Sequence, residues 1–164
     1  MGTLNNFLST SNSIMLKRVG LLIIALAFST LLQGQQSLTK DEQDIQQTVV
    51  NFFKSLSNRD SVGLKGFSTT DVTLFEYGRI WNLDTLIRRV VRLNTATDFK
   101  RVDSVKFINF STDKNTAWAT YNLYSDITRA GKKVSIHWLE SVIFVREKRK
   151  WKLKVLHSTM IKRT

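Results

Sequence analysis

Apolar residues recur every three or four positions in the first part of the chain beyond residue 38, a spacing typical of amphipathic helices. The stretch "SLTKDEQDIQQTVVNFFKSLSNRD" predicts a helix that begins at a capping box formed by Thr39 and Glu42 and ends at Asn58–Asp60. The stretches "DSVGLKGFS" and "NLDTLIRRVVRLN" predict two further helices. Between these two, "DVTLFEYG" predicts a strand that ends at Gly78.

Beyond residue 98 the pattern changes to an alternation of apolar and polar residues, which is typical of strands. Four strands are predicted, over "FKRVDSVKFINF", "TAWATYNLYSDIT", "KVSIHWLESVIFVRE" and "KWKLKVLHSTMI", joined by the turns "STDKN", "RAGK" and "EKRK". Three helices ahead of such a meander predict an α+β fold, with the helices on one face of a curved antiparallel sheet.

The two tight turns predict which residues face each other across the strands. With Lys148-Arg149 at its tip, the last hairpin places Glu140 opposite His157. With Ala130-Gly131 at its tip, the preceding hairpin places Tyr121 opposite Glu140. The three ionisable residues would then form one row on the concave face of the sheet. The same register gathers large apolar residues on that face, namely Val142, Phe144, Trp151, Leu153 and Val155.

The N-terminus predicts a targeting segment. Within "MLKRVGLLIIALAFSTLLQGQQ", the basic pair Lys17-Arg18 precedes an apolar run over residues 19–32, as in a secretory signal peptide. The run is shorter than the roughly 20 residues of a membrane span, so no stable span is expected after processing. We therefore predict a signal peptide over residues 1–35, a single domain over residues 36–164 and a periplasmic or secreted protein. A true start at Met15 would make residues 1–14 an extension.

Composition narrows the classes of function. The 164 residues include no Cys and carry a formal net charge of +12, concentrated after Arg129. The absence of Cys excludes disulfides, thiol catalysis and zinc sites built on Cys. Export removes most nucleic acid from reach, so the basic end is interpreted as a solvated strand face, with an envelope polyanion as the alternative partner.

These elements and motifs resemble the nuclear transport factor 2-like superfamily, which includes polyketide cyclase-like and ketosteroid isomerase-like proteins and a secreted bacterial branch of unknown function. The resemblance covers about residues 38–162 and is carried by Phe52-Phe53 in the first helix, by "W-x-E" at Trp138–Glu140 and by "KWKLKVLHST" at Lys150–Thr159. The ending is also similar to the association domain of calcium/calmodulin-dependent protein kinase. The resemblance implies a cone-shaped, cystatin-like roll with an apolar pocket between sheet and helices, and a homodimer formed through the outer sheet face.

Glu140 and His157 are the candidate acid–base or ligand-anchoring pair, because a carboxylate beside an imidazole titrates near neutrality when the pair is partly buried. The alternative interpretation is a buried, mutually satisfied pair that holds the sheet together with Tyr121. His137 would point to the opposite face from Glu140, so neither a metal site nor a cofactor is expected. The predicted ligand-binding residues are Tyr77, Trp81, Tyr121, Trp138, Glu140 and His157.

Three functional hypotheses remain open at this point. The leading one is an exported, homodimeric protein that binds a small hydrophobic or carboxylate-bearing molecule. The second is an isomerase, cyclase or dehydratase that needs no cofactor and uses Glu140 or His157 as its base. The third is an interaction module that binds envelope polyanions through its basic face.

Overall fold

The computed structural model describes residues 38–164, so the predicted signal peptide lies outside the described residues. The helices are α1 (Lys40–Ser57), α2 (Ser61–Phe67) and α3 (Leu83–Leu86), and α3 continues as a π-helical segment over Ile87–Arg92. The strands are β1 (Ser68–Glu76), β2 (Arg79–Trp81), β3 (Lys100–Thr112), β4 (Thr116–Arg129), β5 (Lys132–Glu147) and β6 (Lys150–Arg163).

Helix α1 begins at the predicted capping box. The backbone N–H of Glu42 donates to Thr39 Oγ1 at 3.3 Å, and the backbone N–H of Thr39 donates to Glu42 Oε2 at 2.7 Å. Both contacts satisfy amide groups that the first helical turn leaves without partners. The apolar side of the helix is buried, through Ile45, Val49, Phe52, Phe53 and Leu56. Helix α1 therefore packs that side on strands β3 and β6.

The six strands form one curved, open sheet in the order β2-β1-β6-β5-β4-β3. Neighbouring strands are antiparallel except β1 and β6, which run parallel. The short strand β2 was not predicted. It pairs with β1 across a tight turn in which Tyr77 and Gly78 both adopt positive φ angles, 52° and 69°. This hairpin folds Trp81 back beside the end of β1.

The register between β4 and β5 is the predicted one, with Tyr121 opposite Glu140. The β5–β6 hairpin also begins as predicted, since Glu147 pairs with Lys150. The agreement ends at Lys154, an extra residue in β6 that has no partner in β5. Such a β-bulge shifts the pairs that follow by one residue, and a second bulge at Ile161 shifts the last pairs once more.

The predicted pairing of Glu140 with His157 is therefore wrong. Glu140 faces Ser158, and His157 faces Ser141 on the outer, solvent-exposed side of the sheet. The inward place predicted for Val155 belongs to Leu156, which is buried in the core. None of the helices within residues 38–164 is long and apolar enough to cross a membrane.

Candidate functional site

A row of polar side chains crosses the concave face of the sheet. Phe107 of β3 pairs with Tyr121 of β4, which pairs with Glu140 of β5, which pairs with Ser158 of β6. Glu76 lies at the end of β1, beside Ser158. We call Tyr121, Glu140, Ser158 and Glu76 the polar row.

Ser158 connects the two carboxyl groups of the polar row. Its Oγ lies 3.0 Å from Glu140 Oε1 and 2.9 Å from Glu76 Oε1. A hydroxyl group has a single proton to donate, so a hydrogen bond on both sides requires a proton on one of the two carboxyl groups. The arrangement therefore stores one proton between Glu76 and Glu140.

Burial decides which carboxyl group keeps that proton. Glu140 is 3% exposed, and its removal from water raises its pKa to about 8. The nearby charge of Glu76 acts in the same direction, while hydrogen bonding to the carboxylate acts against it. Burial also raises the pKa of Glu76, which is only half-buried. At neutral pH Glu140 is thus mainly the neutral acid, which donates to Ser158, and Ser158 donates to Glu76.

Two polar atoms of the row have no hydrogen-bond partner. They are Tyr121 Oη and Glu140 Oε2, both fully buried. The Tyr121 hydroxyl lies near enough to Glu140 to lower the pKa of that carboxyl group, yet the two atoms make no hydrogen bond of acceptable geometry. An unpartnered donor and an unpartnered acceptor therefore lie side by side on neighbouring strands.

Aromatic residues predicted to line the site lie next to the polar row. Trp138 precedes Glu140 by one position on the inner face of β5 and is buried. The Tyr77 ring contacts Trp138 edge-to-face at 5.3 Å and lies 6.2 Å from the Trp81 ring. Five of the six predicted ligand-binding residues thus lie in the row or beside it, while the sixth, His157, is on the outer face beside Phe75.

A cavity of about 350 Å³ opens at the end of the sheet where β4 ends and β5 begins. We call it the wide-end cavity; its lining includes Tyr77, Ile136 and Arg101. Ile136 lies on the inner face of β5 four residues before Glu140, and Trp138 lies between them. Trp138 and Tyr77 therefore separate the cavity from the polar row.

Ser158 and Glu76 were not singled out from the sequence. Glu76 is the last residue of a strand of ordinary composition and belongs to no motif. A regular strand through "KLKVLHST" turns His157 inward and Ser158 to the outer face. The only sequence signal for an inward Ser158 is the adjacent apolar pair Val155 and Leu156. Because either of these two residues can fill the core, the pattern permits a register with His157 inward or one with Ser158 inward.

No protein-family model and no curated protein sequence matches the chain. Solved structures match most of it. An NTF2-like protein from Cytophaga hutchinsonii is 12% identical with a TM-score of 0.62, covering 76% of this chain and 100% of its own. The hexachlorocyclohexane dehydrochlorinase LinA-type3 from Novosphingobium barchaimii is 14% identical with a TM-score of 0.59, covering 76% and 88%. A CaMKII hub from S. rosetta is 14% identical with a TM-score of 0.63, covering 76% and 99%.

The chain therefore has the nuclear transport factor 2-like fold, as its sequence resemblance predicted. At identities this low, structural similarity establishes the fold alone. One fold of this kind supports enzymes, binding proteins and assembly domains, so the function has to be argued from the site.

Proposed function

We propose that the protein is an exported binder of a small hydrophobic or carboxylate-bearing molecule, held on the concave face of its sheet. The observation that carries this proposal is the unpartnered pair, Tyr121 Oη and Glu140 Oε2. A buried polar group without a partner costs roughly 1–3 kcal/mol. A ligand hydroxyl would accept from Tyr121 and donate to Glu140, which recovers that cost for both groups.

The route to the polar row leads through the wide-end cavity. Tyr77 stands between the two, is 54% exposed and sits in a tight turn, so it is the side chain best placed to move. Trp138 and Trp81 supply apolar surface on either side of Tyr77. Apolar walls with a few converging polar groups are typical of small-molecule sites.

The export part of the proposal is supported by the sequence of residues 15–35. The expected outcome is a mature protein that begins near Gln35 and lies outside the cytoplasm of its host. Cell fractionation followed by mass measurement of the purified protein tests it. A cytoplasmic protein that keeps residues 15–35 would contradict it.

Native mass spectrometry of the protein purified from its own host tests ligand binding. We expect a bound small molecule in the wild-type protein and a lower bound fraction in Tyr121→Phe. The ligand-free Tyr121→Phe variant should be as stable as wild type or up to about 1 kcal/mol more stable, because it lacks an unpartnered hydroxyl. Tyr124→Phe, at an exposed outer-face position, is the matched control.

A purely structural role predicts the opposite result. If the Tyr121 hydroxyl serves only to bind Glu140 and hold the sheet, Tyr121→Phe should be destabilised by about 1 kcal/mol. Its bound small molecule, or the absence of one, would then match that of wild type. That combination would overturn the binding proposal.

The second candidate function is an enzyme that moves protons without a cofactor, and the shared proton of the carboxyl pair favours it. In a dehydration, Glu76 would accept a proton from a substrate carbon, while neutral Glu140 gives its proton to the departing hydroxyl, which leaves as water. The carbon–oxygen bond breaks as the carbon–carbon double bond forms, and the pair still holds one proton. Glu140→Gln should then bind the co-purified molecule without converting it; unchanged turnover would exclude this role.

The proposal also includes a homodimer formed through the outer face of the sheet. Support comes from large apolar side chains on that face, Trp118, Tyr124, Leu139 and Ile143, each more than two-fifths exposed. Apolar patches of this kind are rare on surfaces that meet only water.

A further inference from the structure

The wide-end cavity is lined by five basic side chains and, among the described residues, by no acidic one. They come from five different elements and are Arg89, Arg101, Arg129, Lys132 and Arg163. Bringing like charges around one small space costs electrostatic free energy. An anion inside the cavity would turn that cost into attraction.

One of the five basic side chains is already neutralised. Arg101 Nε lies 2.9 Å from Asp103 Oδ1, and both side chains are almost fully buried. Asp103 also accepts hydrogen bonds of 2.6 Å from Ser125 and from Ser57. Arg101 therefore serves this buried network and adds little net charge to the cavity.

Three other basic side chains that line the wide-end cavity have no carboxylate partner of this kind among the described residues. Within the described chain, Arg129, Lys132 and Arg163 make no ion pair and no side-chain hydrogen bond. The carboxylate of Asp98 accepts the backbone N–H groups of Ala130 and Gly131 at 2.8 and 2.7 Å, which lowers its pKa. Its carboxylate thus braces the β4–β5 turn.

An independent feature of the cavity also indicates a ligand. Asn94 lines it, is only 4% exposed, and its Oδ1 has no hydrogen-bond partner. The Asn94 main chain is held in place, because Arg59 Nη1 donates to its carbonyl oxygen at 2.8 Å. The remaining lining is apolar, through Val90, Phe99, Ile127, Val134 and Ile136.

We propose that the wide-end cavity binds a small organic anion with an apolar body. Lys132 and Arg163 hold its carboxylate or phosphate group, and Asn94 Oδ1 accepts a hydrogen bond from a hydroxyl or amide of the same molecule. This inference rests on the proposed small-molecule function and names the chemistry of the ligand. Several cations around one anionic group suit carboxylates and phosphates alike.

Two fluorescent probes that differ by one charge test the inference on the whole mature protein. Anilinonaphthalene sulfonate is an apolar anion, and phenylnaphthylamine has the same rings without the sulfonate. We expect the double variant Lys132→Gln/Arg163→Gln to bind the sulfonate roughly tenfold more weakly and phenylnaphthylamine unchanged. The matched control is Lys133→Gln/Lys162→Gln, which removes the same charge one residue away, outside the cavity lining.

The outcomes separate this inference from the proposed function. Equal loss of sulfonate affinity in both double variants would overturn the anion site, because the effect would then come from overall charge. If phenylnaphthylamine binds and the sulfonate shows no charge dependence, the anion site fails and the small-molecule function stands. If the wild-type protein binds neither probe, both fail.

Competition then identifies the anionic group. Displacement of the bound sulfonate by dodecanoate supports a carboxylate ligand, and displacement by dodecyl phosphate supports a phosphate ester. If heparin displaces the probe and both small anions fail, the basic residues serve a surface polyanion and the cavity proposal is overturned.

Discussion

At the scale of single residues, one proton shared by Glu76 and Glu140 governs the polar row. The free energy of unfolding must therefore depend on pH, because the folded protein keeps a proton that the unfolded chain releases. Burial raises the pKa of Glu140 from an ordinary 4.5 to about 8. The stabilisation is complete below the pKa of this group in the unfolded chain. It is lost as the pH rises through the higher pKa of the folded protein.

We expect the wild-type protein to lose stability between pH 5 and pH 8 at up to roughly 1.4 kcal/mol per pH unit from this group. Glu140→Gln cannot lose a proton, so its stability relative to wild type should rise over the same interval. Urea unfolding of both proteins at pH 5, 6.5 and 8 measures the difference.

Subtracting the free energies of unfolding of the two proteins at each pH removes the contribution of every group that titrates alike in both. Glu76 is removed in the same way to the extent that the substitution leaves its titration unchanged. A difference that stays constant from pH 5 to pH 8 would show that Glu140 is ionised throughout. The neutral-acid role assigned to it would then be wrong.

Single residues of the row differed in how far the sequence predicted them. The turn "RAGK" fixed Tyr121 opposite Glu140, since a tight hairpin leaves little freedom of register. Ser158 was missed because the bulge at Lys154 has no Gly or Pro to announce it. The bulge buries Leu156 and Ser158 in place of Val155 and His157, so the imidazole of His157 stays in water. This advantage arises only when the strands are assembled into the sheet.

At the scale of elements, helix α2 shows how a short helix is fixed to its neighbour. Asp60 Oδ1 accepts the backbone N–H groups of Val62 and Gly63 at 3.0 and 2.9 Å, which caps the helix. A Cβ added at Gly63 would lie 2.4 Å from Ser55 Oγ of α1 and 2.6 Å from Asp60 Oδ2. The close approach of α1 and α2 therefore needs a glycine at this position.

The two glycines of α2 should respond oppositely to the same substitution. Gly63→Ala should destabilise the protein by about 1–3 kcal/mol, because the contact with Ser55 forces the helices apart. Gly66→Ala should stabilise it by up to about 1 kcal/mol, because a Cβ there meets nothing within 4 Å and alanine favours the helix. Urea unfolding of the two variants measures both.

Ser55→Ala provides the internal check on this prediction. Removing Oγ relieves the shortest of the contacts, so the double variant Ser55→Ala/Gly63→Ala should cost less than the sum of the single changes. Additive costs, or Gly66→Ala as damaging as Gly63→Ala, would contradict the packing described for α2.

Most helices and strands were predictable from the sequence. The features that were missed have no local sequence signal. Helices α1 and α2 and the four long strands follow from hydrophobic period and capping residues. Strand β2 was missed because three residues carry too little pattern to separate them from a loop. The parallel pairing of β1 with β6 brings together segments about 80 residues apart, and no local signal records it.

At the scale of the whole molecule, the two faces of the sheet differ in composition. The concave face carries the core, the polar row and the wide-end cavity. The outer face should be polar if it met only water, yet it exposes Trp118 directly opposite Ile143 and stacks Tyr124 on His137 at 4.5 Å. These exposed aromatic and aliphatic side chains support the proposed contact between two copies.

Leu139→Arg and Ile143→Arg should each convert a dimer into monomers. Two-fold symmetry places each substitution in the contact twice, once from each copy. The two new positive charges repel each other and lose water when the copies associate, so association should weaken by at least roughly tenfold. Val62→Arg, at a position that is 78% exposed on helix α2 rather than on the sheet, is the matched control and should leave the dimer intact. Sedimentation velocity over a range of concentrations measures the equilibrium. A wild-type protein that stays monomeric at high concentration, or outer-face variants that remain dimeric, would show that this apolar face serves another partner.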